Sequence, residues 1–282
     1  SSRTDGGHRL YSQNEVNRLQ WVKSRVEEGM QISQAIKALL HTEHEERSIG
    51  IHVTPLTSPL KNDETFSAFY DRLLNALIKH DKIFADRIIA EALTVYSLEH
   101  LILHIISPIM NEIGSMWERD EIDIASEHVI TNYLRHRLLQ WMRTAPPPYN
   151  VNPVILACAP GELHEGSLLI LGVLLSRLPW PVIYLGQSIA LSGFDIFIEQ
   201  VKPAIIVFVA MTEGSAQELA EWPSVLPQIY ESNHPLICYG GRIFTEQPDN
   251  INYVAGTFLG QSMEEGIITL DKVLYEMFPH AR

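Results

Sequence analysis

The second half of the chain alternates short apolar runs with longer helical ones, and this alternation limits the possible fold more than any other feature. The apolar runs predict strands at 154–159, 182–185, 204–210, 236–239 and about 252–255. The segments between and after them predict helices at 165–178, 192–201, within 214–232 and at 262–278. Near-continuous apolar strands separated by helices require a parallel sheet that is covered on both faces. Residues 154–282 therefore predict a doubly wound α/β domain.

Residues 63–145 have a helical pattern instead, with apolar residues three and four positions apart. Four segments with short joints predict an antiparallel four-helix bundle. In this bundle Pro108 kinks or breaks the third helix, and Asp123 caps the fourth. The run Pro146-Pro147-Pro148 ends the bundle because proline cannot continue a helix, and residues 146–153 are predicted to be a linker.

Length, charge and cysteine content narrow the classes of protein further. Residues 1–50 carry seven Lys or Arg and seven Asp or Glu, so the net charge of −13 lies wholly in residues 51–282. Such an acidic surface does not bind nucleic acid by itself, so DNA contacts must come from the amino-terminal end. Cys158 and Cys238 lie in apolar runs, and no apolar stretch reaches the roughly 20 residues of a membrane span. These features predict a cytoplasmic protein with reduced cysteines and no membrane partner.

A histidine stands where the first predicted strand gives way to a helix. His164 lies at the carboxyl edge of the sheet, where open α/β folds bind ligands. Glu162 is placed to hold one ring nitrogen and to leave the other free for a metal. Gly240 and Gly241 follow the fourth strand at the same edge and permit close approach of a ligand. A surface histidine with local hydrogen bonds is the alternative.

The amino-terminal segment predicts a β-hairpin followed by two helices. Two glycines lie among basic and aromatic residues between Arg3 and Tyr11, as in a wing. The segment 1–47 resembles the wing and following helices of MerR-type winged-helix regulators, which implies that Arg3, Arg9 and Tyr11 contact DNA phosphates. A hairpin tip with incidental arginines is the alternative. The helix-turn-helix that precedes this wing in the family is missing, so we expect a partial domain that binds its operator poorly, followed by a linker at 48–62.

The residues around His164 are similar to the Glu/Asp-x-His-x-x-Gly signature of cobalamin-binding Rossmann-like modules. The resemblance implies a flavodoxin-like sheet, with His164 as the lower ligand of cobalt and Glu162 orienting it. Gly166 falls one place early, and Ser167 stands where the glycine is expected. On the third strand Phe208 takes the place of a small hydroxyl residue that faces the nucleotide tail. These departures imply an altered fit of cobalamin, or another tetrapyrrole.

Trp117 and the pair Glu127-His128 lie in the predicted bundle, directly before this module. The spacing Trp-x9-Glu-His in that position resembles the CarH/LitR group, MerR-family repressors that sense light through adenosylcobalamin. The resemblance implies that Trp117 packs against the upper axial group and that Glu127 and His128 contact the adenosyl moiety. A core aromatic residue and a solvated helix turn are the respective alternatives.

Over the whole chain the resemblance implies a multidomain α and α/β regulator that binds a DNA operator, forms a homo-oligomer (dimer or tetramer) and catalyses no reaction. Light would release the adenosyl group and loosen the assembly. Glu118 stands where light-sensing members have a histidine that captures cobalt, so that photoproduct is excluded here. Two alternatives stay open: a MerR-type regulator that senses another ligand, and a corrinoid carrier for a methyltransferase.

Overall fold

The computed structural model describes residues 2–3, 9–10, 62–232 and 234–281. In the amino-terminal segment, β1 (Ser2–Arg3) pairs antiparallel with β2 (Arg9–Leu10), and Arg3 lies opposite Arg9 in the register. A hairpin at this place agrees with the sequence prediction. Tyr11, the two helices predicted after it and residues 48–61 lie outside the described residues.

The bundle consists of helical segments whose apolar faces pack on one another. Its helices are α1 (Asn62–Ile78), α2 (Lys82–Ala92), α3 (Leu98–Leu101), α4 (Ser107–Glu118) and α5 (Ile124–Arg143). The predicted cap of the fourth segment is confirmed, because an Asp123 carboxylate oxygen accepts a hydrogen bond of 2.9 Å from the Ser126 amide. Leu73, Ile105 and Leu134 are buried in the bundle core.

The third predicted helix does not break at Pro108. A π-helical segment, Ile102–Ile106, joins α3 to α4, and Pro108 lies in the first turn of α4. Proline has no amide hydrogen to donate, so one backbone hydrogen bond is missing where the π-helical segment passes into α4. In the π-helical segment each amide bonds to the carbonyl five residues earlier instead of four, as the Ser107 amide does to Ile102. This change lies just before the proline, and the helical path continues through it.

The α/β domain is built on a parallel five-stranded sheet. Its strands are β3 (Val154–Cys158), β4 (Val182–Gly186), β5 (Ile205–Val209), β6 (Leu236–Gly240) and β7 (Thr257–Phe258). Their spatial order is β4-β3-β5-β6-β7, which is the flavodoxin-like order. The chain passes from β3 to β4 on one side and then crosses to β5 on the other side of β3. This change of direction opens a crevice at the carboxyl ends of β3 and β5.

Helices cover the sheet at each predicted segment, but the third segment forms three short helices, and a further helix at Arg242–Glu246 was not predicted. The helices are α6 (Gly166–Arg177), α7 (Phe194–Val201), α8 (Glu213–Ala220), α9 (Trp222–Val225), α10 (Pro227–Ser232), α11 (Arg242–Glu246) and α12 (Met263–Met277). None of the helices in the described residues is both long enough and apolar enough to cross a membrane.

The fifth strand was predicted at about 252–255, and this placement is wrong. The structure has a 3-10 helix at Pro248–Asn252 and places β7 at Thr257–Phe258. Gly256 lies between them with φ +126°, and a Cβ there would be 2.6 Å from the carbonyl oxygen of Ile237. The backbone can enter the sheet only after this glycine, because other residues rarely adopt such a conformation.

The bundle packs against the α/β domain through α6. Nine consecutive residues of α6, from Leu168 to Ser176, are buried. One side of the helix faces the sheet, and the other faces α4 and α5. At Gly172 a Cβ would lie 2.5 Å from Cε of Met142 on α5 and 3.3 Å from Cδ1 of Leu156 on β3. Helix α6 is therefore the shared core element of both domains.

Candidate functional site

The Glu162-Leu163-His164 segment leaves β3 at the crevice where the strand order reverses. Glu162 is 1% exposed, whereas the His164 side chain is 68% exposed. One carboxylate oxygen of Glu162 accepts hydrogen bonds from the backbone amide of His164 (2.8 Å) and from its ring Nδ1 (2.6 Å). The buried Glu162 carboxylate thus holds His164 by two hydrogen bonds, one to its backbone amide and one to its exposed ring.

The other oxygen of Glu162 is fixed by the segment that follows β5. It accepts hydrogen bonds of 2.8 Å from the Met211 amide and from the Ser215 hydroxyl. Burial alone would raise the pKa of this carboxyl, but the hydrogen bonds outweigh burial and lower the pKa to about 2. Glu162 is therefore a carboxylate at neutral pH.

This arrangement determines which nitrogen of His164 is available. A carboxylate can only accept hydrogen bonds, so the Nδ1 bonded to Glu162 must carry the proton. In the neutral ring Nε2 then has a free lone pair, the form of histidine that binds metals. No hydrogen bond among the described residues uses Nε2 of His164.

Cys158 lies beneath the same loop as a buried thiol. Its Sγ points to the carbonyl oxygen of His164 at 3.8 Å. Burial, with smaller contributions from Glu162 and Glu165, raises the pKa of this thiol to about 12. Cys158 is therefore a neutral thiol at neutral pH in the metal-free protein.

Two bundle helices contact the chain directly after His164. Arg135 of α5 donates from Nε to Glu165 at 2.5 Å, and the second oxygen of Glu165 accepts a hydrogen bond from the Tyr184 hydroxyl. Met110 of α4 lies against Gly166, where a Cβ would be only 2.7 Å from its Cε. The small size of Gly166 thus accommodates the bundle.

Trp117 and His128 lie beyond these contacts on the same helix faces. Trp117 is seven residues after Met110, and His128 is seven residues before Arg135. Seven residues make two turns, or about 10 Å along the helix. Since a short connection joins α4 to α5, both side chains lie at the same end of the bundle. Their side chains are exposed, Trp117 by 46% and His128 by 67%.

Glu127 and His128 form a pair at the start of α5. The His128 ring Nδ1 and one Glu127 oxygen are hydrogen-bonded, and the other oxygen accepts a bond of 2.6 Å from Thr131. His128 also borders a groove of about 530 Å³ between α2 and α5, which Lys82 and Arg137 line as well. The predicted pair therefore exists as a contact, and its imidazole is open to a ligand.

Ser167, Gly240 at the end of β6 and Gly241 directly after it lie near the same sheet edge, with different roles. The Ser167 hydroxyl contacts the Met211 sulfur at 3.8 Å. A Cβ at Gly241, where φ is +128°, would lie 2.0 Å from the carbonyl oxygen of Ala210, so the backbone itself requires this glycine. At Gly240 a Cβ would lie 4.0 Å from Leu259, so space remains.

The assignment of Phe208 to this site needs correction. Phe208 is fully buried, and its ring packs against Phe194 at 6.3 Å on the sheet face that also holds Tyr239. Side chains alternate along a strand, so Val209 lies on the opposite face, toward α6. A one-residue error in register reverses the face, which is why the sequence placed the wrong residue at the site.

Sequence reasoning missed four residues that fix the site from outside the motif: Met110, Arg135, Tyr184 and Ser215. One of them carries a local signal, since Thr212 and Ser215 form a capping box at the start of α8. The other three contact the loop only through the tertiary fold, and their spacing gives no sign of it.

Two family models match parts of the chain. Residues 1–42 match the "MerR HTH family regulatory protein" model, and residues 70–140 match the "B12 binding domain" model. The second match covers most of the bundle, including Met110 and Arg135, which contact the residues after His164. The chain thus carries a MerR-type segment and a B12-binding domain.

Two curated proteins of Myxococcus xanthus are similar over most of the chain. The HTH-type transcriptional repressor CarA is 25% identical over 273 residues, which cover 96% of this chain and 86% of CarA. The HTH-type transcriptional repressor CarH is 25% identical over 251 residues, which cover 87% of this chain and 81% of CarH. The monomethylamine corrinoid protein of Methanosarcina barkeri has a TM-score of 0.55 at 15% identity, covering 73% of this chain and 99% of that one, and so shares the fold.

The two family matches and the Glu162–His164 pair make the chain similar to one class of protein, the MerR-type regulators with a B12-binding domain. Within this class the chain is homologous to the CarA and CarH repressors, and it is consistent with a CarH-type B12-dependent regulator. Both of these relatives are named as transcriptional repressors.

Proposed function

We propose that the chain is a light-responsive transcription regulator that holds adenosylcobalamin between the bundle and the α/β domain. The observation that carries the proposal is the Glu162–His164 pair, in which a buried carboxylate fixes an exposed imidazole with Nε2 free. The proposed domain limits are 1–47 for DNA binding, 63–145 for the bundle and 154–282 for the Rossmann-like domain.

The donor set fits a corrinoid on its lower side. His164 would serve as the axial ligand of cobalt, and Glu162 would hold it in the correct tautomer and orientation. Gly166, Ser167, Gly240 and Gly241 would border the lower part of the ligand. Phe208 is left out of this set, because it packs in the core on the opposite sheet face.

On the upper side, the exposed Trp117 indole would cover the axial group and exclude water from it. Glu127 and His128, which already contact each other, would bind the polar groups of the adenosyl moiety. When bound, adenosylcobalamin supplies a cobalt–carbon bond that light can break. The exposed carboxyl residue Glu118, next to Trp117, offers no imidazole to the upper side after illumination.

The DNA-binding part of the proposal concerns Arg3, Arg9 and Tyr11, which would contact operator phosphates. Loss of upper-side contacts would shift the bundle and weaken a homo-oligomer, whether dimer or tetramer. Dissociation removes multivalent contacts, and avidity can fall by about 10²–10⁴-fold as a result. Action on an operator places the protein in the cytoplasm.

The test is an absorption spectrum of the full chain with adenosylcobalamin, recorded before and after green light, together with size-exclusion chromatography in both states. We expect histidine-ligated bands in the dark, a spectral change on illumination and a shift to smaller assemblies. His164→Ala should abolish stable uptake. Uptake by His164→Ala equal to that of the parent would refute the assignment of the axial ligand.

A second candidate function is a MerR-type cobalamin regulator without a light response. The presence of Glu118 favours it, because the imidazole that captures cobalt in light-sensing members is replaced by a carboxylate. Bands that form in the dark and do not change under light would support this candidate.

A further inference from the structure

Arg135 and Glu165 form an ion pair between the bundle and the α/β domain, directly beside His164. We propose that Arg135, Glu165 and Tyr184 are positioning residues, which fix the His164 loop against α5 and so set the direction in which the imidazole meets a corrinoid. The inference rests on the proposed function, since it assigns these residues a role toward the same ligand.

The Glu165 side chain is held from two different elements. It is 7% exposed, and its two oxygens accept hydrogen bonds from Nε of Arg135 on α5 and from the hydroxyl of Tyr184 on β4. A buried carboxylate is stable only when it is paired and hydrogen-bonded, so this geometry is strongly preferred over a free side chain.

The position of Glu165 in the chain transmits this restraint to His164. Glu165 is the next residue, and its carbonyl oxygen accepts the hydrogen bond of 2.9 Å from the Leu169 amide that begins α6. On the other side Glu162 is held by the segment after β5. His164 therefore lies between two buried carboxylates, and Glu165 connects it by an ion pair to α5 of the bundle.

The chain offers a matched pair for comparison at the far end of α6. Arg177 donates from Nε to Glu99 of α3 at 2.9 Å and also joins the two domains. Both arginines are 37% exposed, and the glutamates are 7% and 15% exposed for Glu165 and Glu99. The Arg177–Glu99 pair joins the two domains without contacting the His164 loop. Comparing the two pairs therefore distinguishes an effect on the orientation of His164 from an effect on domain packing.

The experiment compares Arg135→Gln, Arg135→Lys and Arg177→Gln in the full chain. With hydroxocobalamin as the probe, we expect Arg135→Gln to weaken binding by about 10–100-fold, the usual effect of losing an outer partner of a metal ligand. The nitrogen splitting in the electron paramagnetic resonance spectrum of protein loaded with cob(II)alamin should also weaken or vanish. Arg177→Gln should leave affinity within about twofold and the splitting intact.

Arg135→Lys should restore part of the affinity, because it keeps the charge but not the fixed guanidinium fork. Tyr184→Phe removes one donor and leaves the ion pair, so it should act in the same direction with a smaller effect. If Arg135→Gln and Arg177→Gln change the hydroxocobalamin affinity and the electron paramagnetic resonance spectrum equally, Arg135 only holds the two domains together. That result would overturn the inference.

Hydrogen exchange of the cofactor-free protein separates this inference from the proposed function. Arg135→Gln should speed amide exchange in residues 162–169, and Arg177→Gln should not. A parent protein that takes up no corrinoid, with this exchange pattern present, would refute the proposed function and leave the restraint on the loop established. A parent that binds corrinoid, with equal exchange in both variants, would overturn the positioning role alone.

Discussion

Asp271, on α12, is a buried carboxyl group with incomplete hydrogen bonding. One oxygen accepts a bond of 2.7 Å from the Trp180 indole, and the other accepts none from the described residues. Burial raises the pKa of Asp271 from 3.8 to about 6, and the Trp180 bond offsets only part of this. The fold therefore favours the protonated acid, and this contribution to stability, complete below the unfolded pKa, is lost as pH rises through about 6.

Asp271→Asn keeps an oxygen that can accept the Trp180 bond but removes the ionisation. The difference between 3.8 and about 6 corresponds to roughly 3 kcal/mol at about 1.4 kcal/mol per pKa unit. The parent protein loses about 2 kcal/mol of this unfolding free energy as the pH rises from about 4.5 to about 8. The amide nitrogen adds a cost of about 1–3 kcal/mol that does not depend on pH. Relative to the parent, the variant should gain about 2 kcal/mol across this interval.

Urea unfolding of the full chain at both pH values, followed by tryptophan fluorescence, measures this gain. Asp249→Asn, at an exposed position, serves as the control for the substitution itself. A difference between Asp271→Asn and parent that is the same at both pH values would show that folding does not raise the pKa of Asp271, and the argument from burial would be wrong.

Three further outcomes are expected. Trp117→Ala should retain cobalamin but lose its preference for the adenosyl over the hydroxo form, as measured by competition binding; an unchanged preference would contradict the upper-side role. Glu162, whose pKa is lowered to about 2, stabilises the fold above its ordinary pKa of 4.5, so Glu162→Gln should lose stability at pH 7 and flatten the acid-unfolding curve between about pH 4.5 and 2. Gly241→Ala should cost more than about 2 kcal/mol of unfolding free energy by urea titration, whereas Gly240→Ala should cost less than about 1 kcal/mol.

The α/β domain could be predicted well because its signals are local. Buried parallel strands such as β3 and β5 are continuous apolar runs, and these two strands agree with the prediction to within a residue at each end. The Asp123 cap is a property of four consecutive residues. The contact between Glu162 and His164 follows in the same way from a spacing of two residues at a strand end.

The parts that failed depend on three-dimensional context. The π-helical segment Ile102–Ile106 has the composition of an ordinary helix, so its changed hydrogen bonding is not visible in the sequence. Phe208 and Val209 are both apolar, and only the sheet register decides which one faces α6. The pair Arg135 and Glu165 is separated by 30 residues, and its formation requires both domains to be folded.

The position of α6 also determines how the molecule can be divided for study. Its face toward Met142 and Met110 is apolar and is covered by the bundle, with glycines at the points of closest approach. A fragment that starts at residue 146 would expose this apolar face of α6 to water and should self-associate or precipitate. Binding studies on the cofactor module should therefore use the segment from residue 62 onward as one piece.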